Sequence, residues 1–247
     1  LAHEFQHMIN FGQKTMKSMK TATKQSDIVS SSTWSNEMMS MVCEDMIQKY
    51  LDVRPEDSPI SRLLGFANGY YISGLTDWFQ DSNAVHSYAG AYAFGAYLAR
   101  NYGGKDLIKQ IATNKYVDQE SITQALRAIR KDESFETVFR KYPQALVLDN
   151  PPKGVTVPSF NNSVPGIGKD ESGTDYKMPA IDLFNDYFMI EEQRYSIKPG
   201  LMYSGSNNRV NLRPYGFTLH SVGFTNSAGT VNITFSSPVN ENEKIYL

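Results

Sequence analysis

The spacing of apolar residues predicts that about the first 145 residues are helical. In residues 1–20, apolar side chains recur at helical intervals and Pro is absent. A second helix is predicted over residues 34–51, with one buried stripe formed by Met38, Met41, Val42 and Met46. A third helix is predicted over Ser87–Tyr102, because two glycines follow it directly. Three shorter helices are expected near Asp106–Thr113, Ser121–Lys131 and Ser134–Tyr142.

The pattern changes close to residue 148. Prolines interrupt the helical spacing, and Gly and Pro then recur at short intervals. Two runs in which apolar and polar residues alternate, Thr218–Phe224 and Thr230–Phe235, are typical of antiparallel strands. We therefore predict an α+β protein, with a helical domain over residues 1–148 and a β-rich, mainly antiparallel C-terminal domain over residues 149–247.

The charge balance excludes some classes of partner. Lys and Arg number 24 against 26 Asp and Glu, and this net charge of -2 argues against a nucleic-acid partner. Cys43 is the single cysteine of the sequence, so an internal disulfide and a Cys-based zinc ribbon are both excluded. Residues 82–99 carry no formal charge, but their Ser, Asn and His residues favour a buried helix over a membrane span.

Residues 3–7 read His-Glu-Phe-Gln-His, which places two histidines four positions apart. On a helix these positions lie one turn apart, so the His3 and His7 imidazoles can bind one metal ion. Glu4 then lies beside the open coordination position, where a base for metal-dependent hydrolysis is needed. The pattern predicts zinc as the metal. The alternative is a chance match on an ordinary helix.

A catalytic zinc site needs a third protein ligand, which two imidazoles do not supply. His86, His220, Cys43 and the carboxylates are the side chains available for this role. Glu37 is the best candidate, because it lies at the start of the second helix and can face a partner helix there. It can equally be an ordinary first-turn acid that the helix dipole favours. Glu44 is either a hydrogen-bond partner for a ligand histidine or a solvated helix acid.

Three segments taken together resemble one protein family. They are HEFQHMIN at residues 3–10, WSNEMMS at residues 34–40 and the Tyr-rich run at residues 87–103. In this order they are similar to the hyicolysin family of secreted bacterial zinc metallopeptidases. The resemblance extends over residues 1–145.

The resemblance implies a fold, a ligand set and a location. It implies a thermolysin-like zincin catalytic domain of the gluzincin type, in which His3, His7 and Glu37 bind zinc and Glu4 is the base. It also implies a secreted or cell-surface protein of a bacterium, with proteins or peptides as substrates. One position departs from the pattern, because thermolysin-like enzymes place an Asp four residues after the Glu ligand and this sequence has Met41.

Hydrolysis at such a site also needs a donor that stabilises the tetrahedral oxyanion. Related gluzincins use a downstream Tyr or His for this task, so Tyr88 and His86 are the candidates. The alternative reading treats Tyr88 as part of a core-packing stripe and His86 as a surface loop residue.

The predicted function is zinc-dependent hydrolysis of peptide bonds in proteins or peptides, with the attacking water activated by Glu4. The alternative is a non-catalytic surface or binding module that retains zinc and carries a β-sandwich appendage, although such a module has no need of Glu4. A helical structural protein with a chance motif is a third possibility. Because His3 lies in the fraying first turn of its helix, we also expect a segment upstream of Leu1 to pair with this chain.

Overall fold

The computed structural model describes residues 1–51, 53–54, 57–129, 132–147, 158–164, 166–169, 172–181, 183, 200–202 and 211–222. Helices dominate the described residues up to position 147, and short strands lie beyond residue 165. The described part of the chain is therefore mainly helical with a small amount of sheet, which agrees with the predicted α+β class. No helix within it is both long enough and apolar enough to cross a membrane.

The described helices have the following bounds. They are α1 (Ala2–Phe11), α2 (Lys17–Thr21), α3 (Thr33–Ile47), α4 (Leu63–Gly69), α5 (Ala84–Asn101), α6 (Gly104–Thr113), α7 (Asp118–Ile129) and α8 (Phe135–Val147). A π-helical turn, Gly12–Met16, joins α1 to α2, so the predicted first helix is continuous but not regular. The predicted second and third helices are confirmed as α3 and α5 with shifted ends, and the three shorter ones as α6, α7 and α8.

The centre of the fold is the contact between α3 and α5. Met38, Met41 and Val42 of α3 are fully buried, and most of the α5 surface is buried as well. Gly95 of α5 permits this close approach, since a Cβ there would lie 2.8 Å from Cγ of Met38 and would also collide with the Val42 side chain. Burying each such apolar side chain stabilises the fold by about 1.5–3 kcal/mol.

A buried ion pair fixes the C-terminal end of α3 against α5. The Arg100 guanidinium and the Asp45 carboxylate are both fully buried, and their nitrogen and oxygen atoms approach to 2.6 Å. A second nitrogen of Arg100 donates to the other oxygen of Asp45 at 3.2 Å, so the pair is bidentate. Arg100 Nε also donates to the Pro179 carbonyl oxygen at 3.0 Å, which ties part of the C-terminal half to the helices. Loss of one partner would leave an uncompensated buried charge.

Helix α1 packs on α3 through polar contacts. Asn10 Nδ2 donates to Asn36 Oδ1 at 2.7 Å, and Ser40 Oγ donates to Gln6 Oε1 at 2.7 Å. The apolar stripe of the first helix faces solvent instead, with exposed side chains at Phe5, Met8, Ile9, Phe11, Met16 and Met19.

Lys14, in the π-helical turn, anchors the end of α1 to the α6–α7 region. Its ammonium group is buried and donates to the Ile111 and Asn114 carbonyl oxygens at 2.6 and 2.8 Å, and to Ser121 Oγ at 3.2 Å. Burial lowers the pKa of Lys14 to about 8, although the charge of Asp118 opposes this shift. The segment that holds His3 and His7 therefore belongs to a helix that is held from two sides.

The described strands lie in the C-terminal half. Strands β1 (Gly166–Lys169) and β2 (Asp175–Lys177) pair antiparallel, whereas β3 (Gly200–Met202) and β4 (His220–Val222) pair parallel. The predicted run at residues 230–235 lies outside the described residues. Several residues of this half are buried in the same core as the helices, namely Phe160, Met178, Ile181 and Leu183. The division into domains at residue 148 stays a prediction.

Candidate metal centre

Helices α1 and α3 bring three metal-ligating side chains together. His3 Nε2 lies 3.0 Å from Glu37 Oε2, and His7 Nε2 lies 3.6 Å from Glu37 Oε1. One ligand atom from each residue falls within 4.8 Å of the others, and all three residues are partly buried. Within the described residues, this set has the proximity that binding of a single ion requires.

The arrangement fits a tetrahedral metal ion. Zinc bonds of about 2.0–2.2 Å place neighbouring ligand atoms roughly 3.4 Å apart in tetrahedral geometry. The separations of 3.0 Å from His3 Nε2 to Glu37 Oε2 and of 3.6 Å from His7 Nε2 to Glu37 Oε1 are both close to that spacing. Two imidazole nitrogens and one carboxylate oxygen form a donor set that zinc accepts, and three protein ligands leave one position open. His3, His7 and Glu37 can therefore hold the ion that the sequence predicts.

Ser40 contacts the ring nitrogen of His7 that faces away from Glu37. The Ser40 hydroxyl lies 3.0 Å from His7 Nδ1 and donates its own proton to Gln6 Oε1 at 2.7 Å. With its proton on Gln6, the Ser40 oxygen can accept a hydrogen bond from a protonated His7 Nδ1, and that tautomer leaves the lone pair of His7 Nε2 available on the side of Glu37. Sequence reasoning missed Ser40, although its position three residues after Glu37 places it on the same face of α3.

Glu44 lies on the far side of the His3 ring. Glu44 Oε1 approaches His3 Nδ1 at 3.3 Å without the alignment of a hydrogen bond, and Arg62 pairs with Glu44 Oε2 at 3.1 Å. Met41, which occupies the position of the thermolysin-type Asp, is buried in the core. The carboxylate beside His3 is thus that of Glu44, which lies about one helical turn further along α3 than Met41.

Tyr88 of α5 reaches the same site. Burial raises the pKa of the Tyr88 hydroxyl, and the charge of Glu37 and a hydrogen bond to that carboxylate raise the pKa further. The charge of Glu4 acts in the same direction, so Glu4 and Tyr88 lie near one another. Glu4 itself is exposed in the first turn of α1. The Trp78 ring packs edge-on against Tyr88, with 4.7 Å between ring centroids.

The other candidates lie in different surroundings. His86 Nδ1 is 3.3 Å from the Gly65 carbonyl oxygen, and its ring fills the space that a side chain at Gly69 would need. His220 is exposed and pairs with Thr218 Oγ1 at 3.2 Å. Cys43 is partly buried, and burial raises its pKa to about 11, which disfavours the thiolate that binds metals. The contacts described for these three side chains do not involve His3, His7 or Glu37.

Comparison with known proteins agrees with this geometry. The family model described as peptidase M30 matches residues 1–193. The chain is also 31% identical over 128 residues to the neutral metalloprotease ShpI of Staphylococcus hyicus, an alignment that covers 51% of this chain and 26% of that protein. The aligned part thus spans about a quarter of the relative's length. Because the family match covers well over half of the sequence and includes every residue of the candidate centre, the chain belongs to the peptidase M30 family.

Proposed function

We propose that the protein hydrolyses peptide bonds in proteins or peptides with zinc held by His3, His7 and Glu37. The observation that carries this proposal is the approach of both histidine Nε2 atoms to one carboxylate, at 3.0 and 3.6 Å. Membership of the peptidase M30 family supports it, as does similarity to a relative named a neutral metalloprotease. We also propose a secreted or cell-surface location in a bacterium, and the bacterial organism of that relative is consistent with it.

Zinc bound at this centre would supply Lewis acidity and lower the pKa of a bound water towards neutrality. Glu4 would accept a proton from the attacking water and then deliver it to the leaving amine. Glu4 follows His3 in the first turn of α1 and is exposed, so its carboxylate is accessible to both groups. Ser40 would hold the His7 ring, and Glu44 would face the His3 ring from the other side.

Tyr88 is proposed as the donor to the oxyanion. A tyrosine phenol is protonated at neutral pH, and the surroundings of Tyr88 raise its pKa further, so that the O–H group is available to donate. The hydroxyl lies near the Glu37 carboxylate, and a substrate oxyanion beside the ligand set would compete with that carboxylate for its proton. The two oxyanion donors considered from the sequence, Tyr88 and His86, thus have different surroundings, because His86 packs against α4.

Metal removal tests the proposed function directly. We expect the purified protein to contain about one zinc per chain by elemental analysis and to hydrolyse casein. A chelator should abolish hydrolysis, because the remaining side chains cannot activate water alone, and added zinc should restore it. Stoichiometric zinc without any hydrolysis would instead support the non-catalytic binding module. Hydrolysis that survives complete removal of metal would contradict the assignment.

Replacing Tyr88 by Phe is expected to lower kcat by about 10²–10³-fold with little change in KM, because one oxyanion donor is lost. The steady-state kinetics of peptide cleavage measure this effect. Tyr71→Phe is the matched control, since Tyr71 is an exposed residue that packs edge-on against Tyr70. A large loss of kcat in His86→Ala together with normal activity in Tyr88→Phe would reverse the assignment.

The thermolysin-like arrangement and the upstream partner belong to the same proposal. The exposed apolar face of α1 supports packing of a further segment there, and we propose that this segment lies upstream of Leu1 in a thermolysin-like domain. Chemical crosslinking of the native protein followed by mass spectrometry tests this arrangement. Crosslinks from Lys17 and Lys20 that join only residues of this chain would contradict it.

A further inference from the structure

A short segment of the C-terminal half, residues 213–219, lies over the loop at residues 74–79. Leu75 N donates to the Tyr215 carbonyl oxygen at 3.0 Å, and the carbonyl oxygen of Pro214 packs so closely on Gly74 that any side chain at that position would collide with it. The loop and the segment therefore share a backbone interface, which the glycine makes possible.

The 213–219 segment is itself fixed on the helical core. Phe217 stacks on Tyr70 with ring centroids 5.7 Å apart, and Tyr70 donates its hydroxyl to the Leu219 carbonyl oxygen at 3.4 Å. The Tyr215 hydroxyl bonds to the Glu136 carboxylate of α8. Tyr215 also adopts a φ of 53°, a left-handed conformation that costs free energy for a residue other than Gly. Such a conformation persists because the surrounding contacts determine it.

Arg213 holds both neighbours of Trp78. Its guanidinium pairs with Asp77 Oδ2 at 2.7 Å and lies 4.7 Å from the centre of the Phe79 ring. The Phe79 backbone N–H also donates to Ser87 Oγ at 3.1 Å, which joins the loop to the start of α5. The residue between these fixed points, Trp78, packs edge-on against Tyr88. A continuous line of contacts therefore runs from Arg213 through Trp78 to the Tyr88 ring.

We propose that the 213–219 segment positions the active site, with Arg213 fixing the 74–79 loop so that Trp78 holds Tyr88 beside Glu37. Arg213 is a positioning residue and touches neither the ligand set nor the substrate in this scheme. The inference rests on the proposed function of Tyr88. It makes the C-terminal half part of the catalytic unit, rather than an appendage used only for anchoring or docking.

A double-mutant cycle between Arg213 and Tyr88 tests the proposal in the full chain. We expect Arg213→Ala to lower kcat by about tenfold with KM nearly unchanged, because the oxyanion donor loses its fixed position. In the Tyr88→Phe background the same change should alter kcat by less than about twofold, since the group it positions is already gone. Arg213→Lys should recover part of the activity, because it keeps the charge opposite Asp77 but not the planar contact with Phe79.

Arg54→Ala is the matched control for loss of a surface ion pair, because Arg54 pairs with Asp57 at 2.6 Å on an exposed surface. It should leave kcat close to that of the unmodified protein. Equal losses of kcat from Arg213→Ala in both backgrounds would overturn the proposal, because the effect would not pass through the Tyr88 hydroxyl.

A second readout does not depend on catalysis. The fluorescence emission of Trp78 is obtained as the difference between the spectra of the unmodified protein and of Trp78→Phe. When Arg213→Ala is introduced into both proteins, this difference spectrum should shift to longer wavelength. Release of the loop would expose the indole to water and cause this shift. Unchanged emission would overturn the positioning role. If the unmodified protein hydrolyses no peptide, the proposed function fails, and the emission shift still decides whether Arg213 fixes Trp78.

Discussion

Replacement of Glu4 by Gln is expected to lower kcat for peptide hydrolysis by about 10²–10⁴-fold while the metal remains bound. The carboxylate proposed to accept and return the proton is lost, but no proposed ligand atom is removed, because His3, His7 and Glu37 are unchanged. The exposed position of Glu4 on α1 means that the isosteric amide should not disturb packing. Steady-state kinetics and elemental analysis of the same preparation measure the two effects separately.

Glu120→Gln is a matched control for this variant. Glu120 is an exposed helical acid in the first turn of α7, and its Oε1 accepts a hydrogen bond from Gln124 at 2.7 Å. The same chemical change there should leave kcat within about twofold, as expected for a surface substitution. Near-normal hydrolysis by Glu4→Gln with full metal content would show that another group accepts the proton.

The pairing of His3 with His7 could be predicted because it depends on local geometry alone. A spacing of four residues places two side chains on one face of any helix, whatever the rest of the fold does. The role of Glu37 was harder to predict, because it depends on how α1 crosses α3. From the sequence, Glu37 could equally be an ordinary acid in the first turn of its helix. The structure places its carboxylate between the two imidazoles. Its service as a ligand remains a prediction.

Other parts of the site depend on contacts that no local pattern encodes. Trp78 and Arg213 are more than 130 positions apart, and their cooperation arises from two segments without regular structure. Hydrophobic periodicity carries information about faces of helices and strands, and it carries none about loops that meet in space. The parallel pairing of β3 with β4 was likewise missed, because alternation predicts a strand and does not fix the direction of its partner.

The sequence predicted the apolar stripe of the first helix. In the structure that stripe faces outwards, whereas the apolar stripe of most surface helices faces the core. Gln6 and Asn10 are buried against α3, while Phe5 and Met8 face outwards. The reason is chemical, since the side of α1 that faces α3 carries the candidate ligands and their hydrogen-bond partners. A polar inner face and an apolar outer face are expected for a helix that lies between a metal centre and a further layer of protein.

The second prediction with a large expected effect separates a ligand from its neighbour on one helix. Glu37→Gln and Glu44→Gln make the same chemical change seven residues apart on α3, and both carboxylates lie close to His3. We expect Glu37→Gln to lose stoichiometric zinc and all measurable hydrolysis, because a neutral amide replaces the third ligand. Glu44→Gln should bind zinc about 10–100-fold more weakly, the usual effect of losing a group that orients a ligand.

The geometry around the two histidines is the basis for this difference. Glu37 lies beside Nε2 of both His3 and His7, whereas Glu44 approaches only His3 and does so at Nδ1. A metal ion shared by both histidines must therefore lie on the Glu37 side. Zinc titration monitored by calorimetry, with thermal unfolding of the metal-free variants as a check on folding, distinguishes the two effects. Retention of tight zinc binding by Glu37→Gln and its loss in Glu44→Gln would show that Glu44 is the third ligand and that His3 binds through Nδ1.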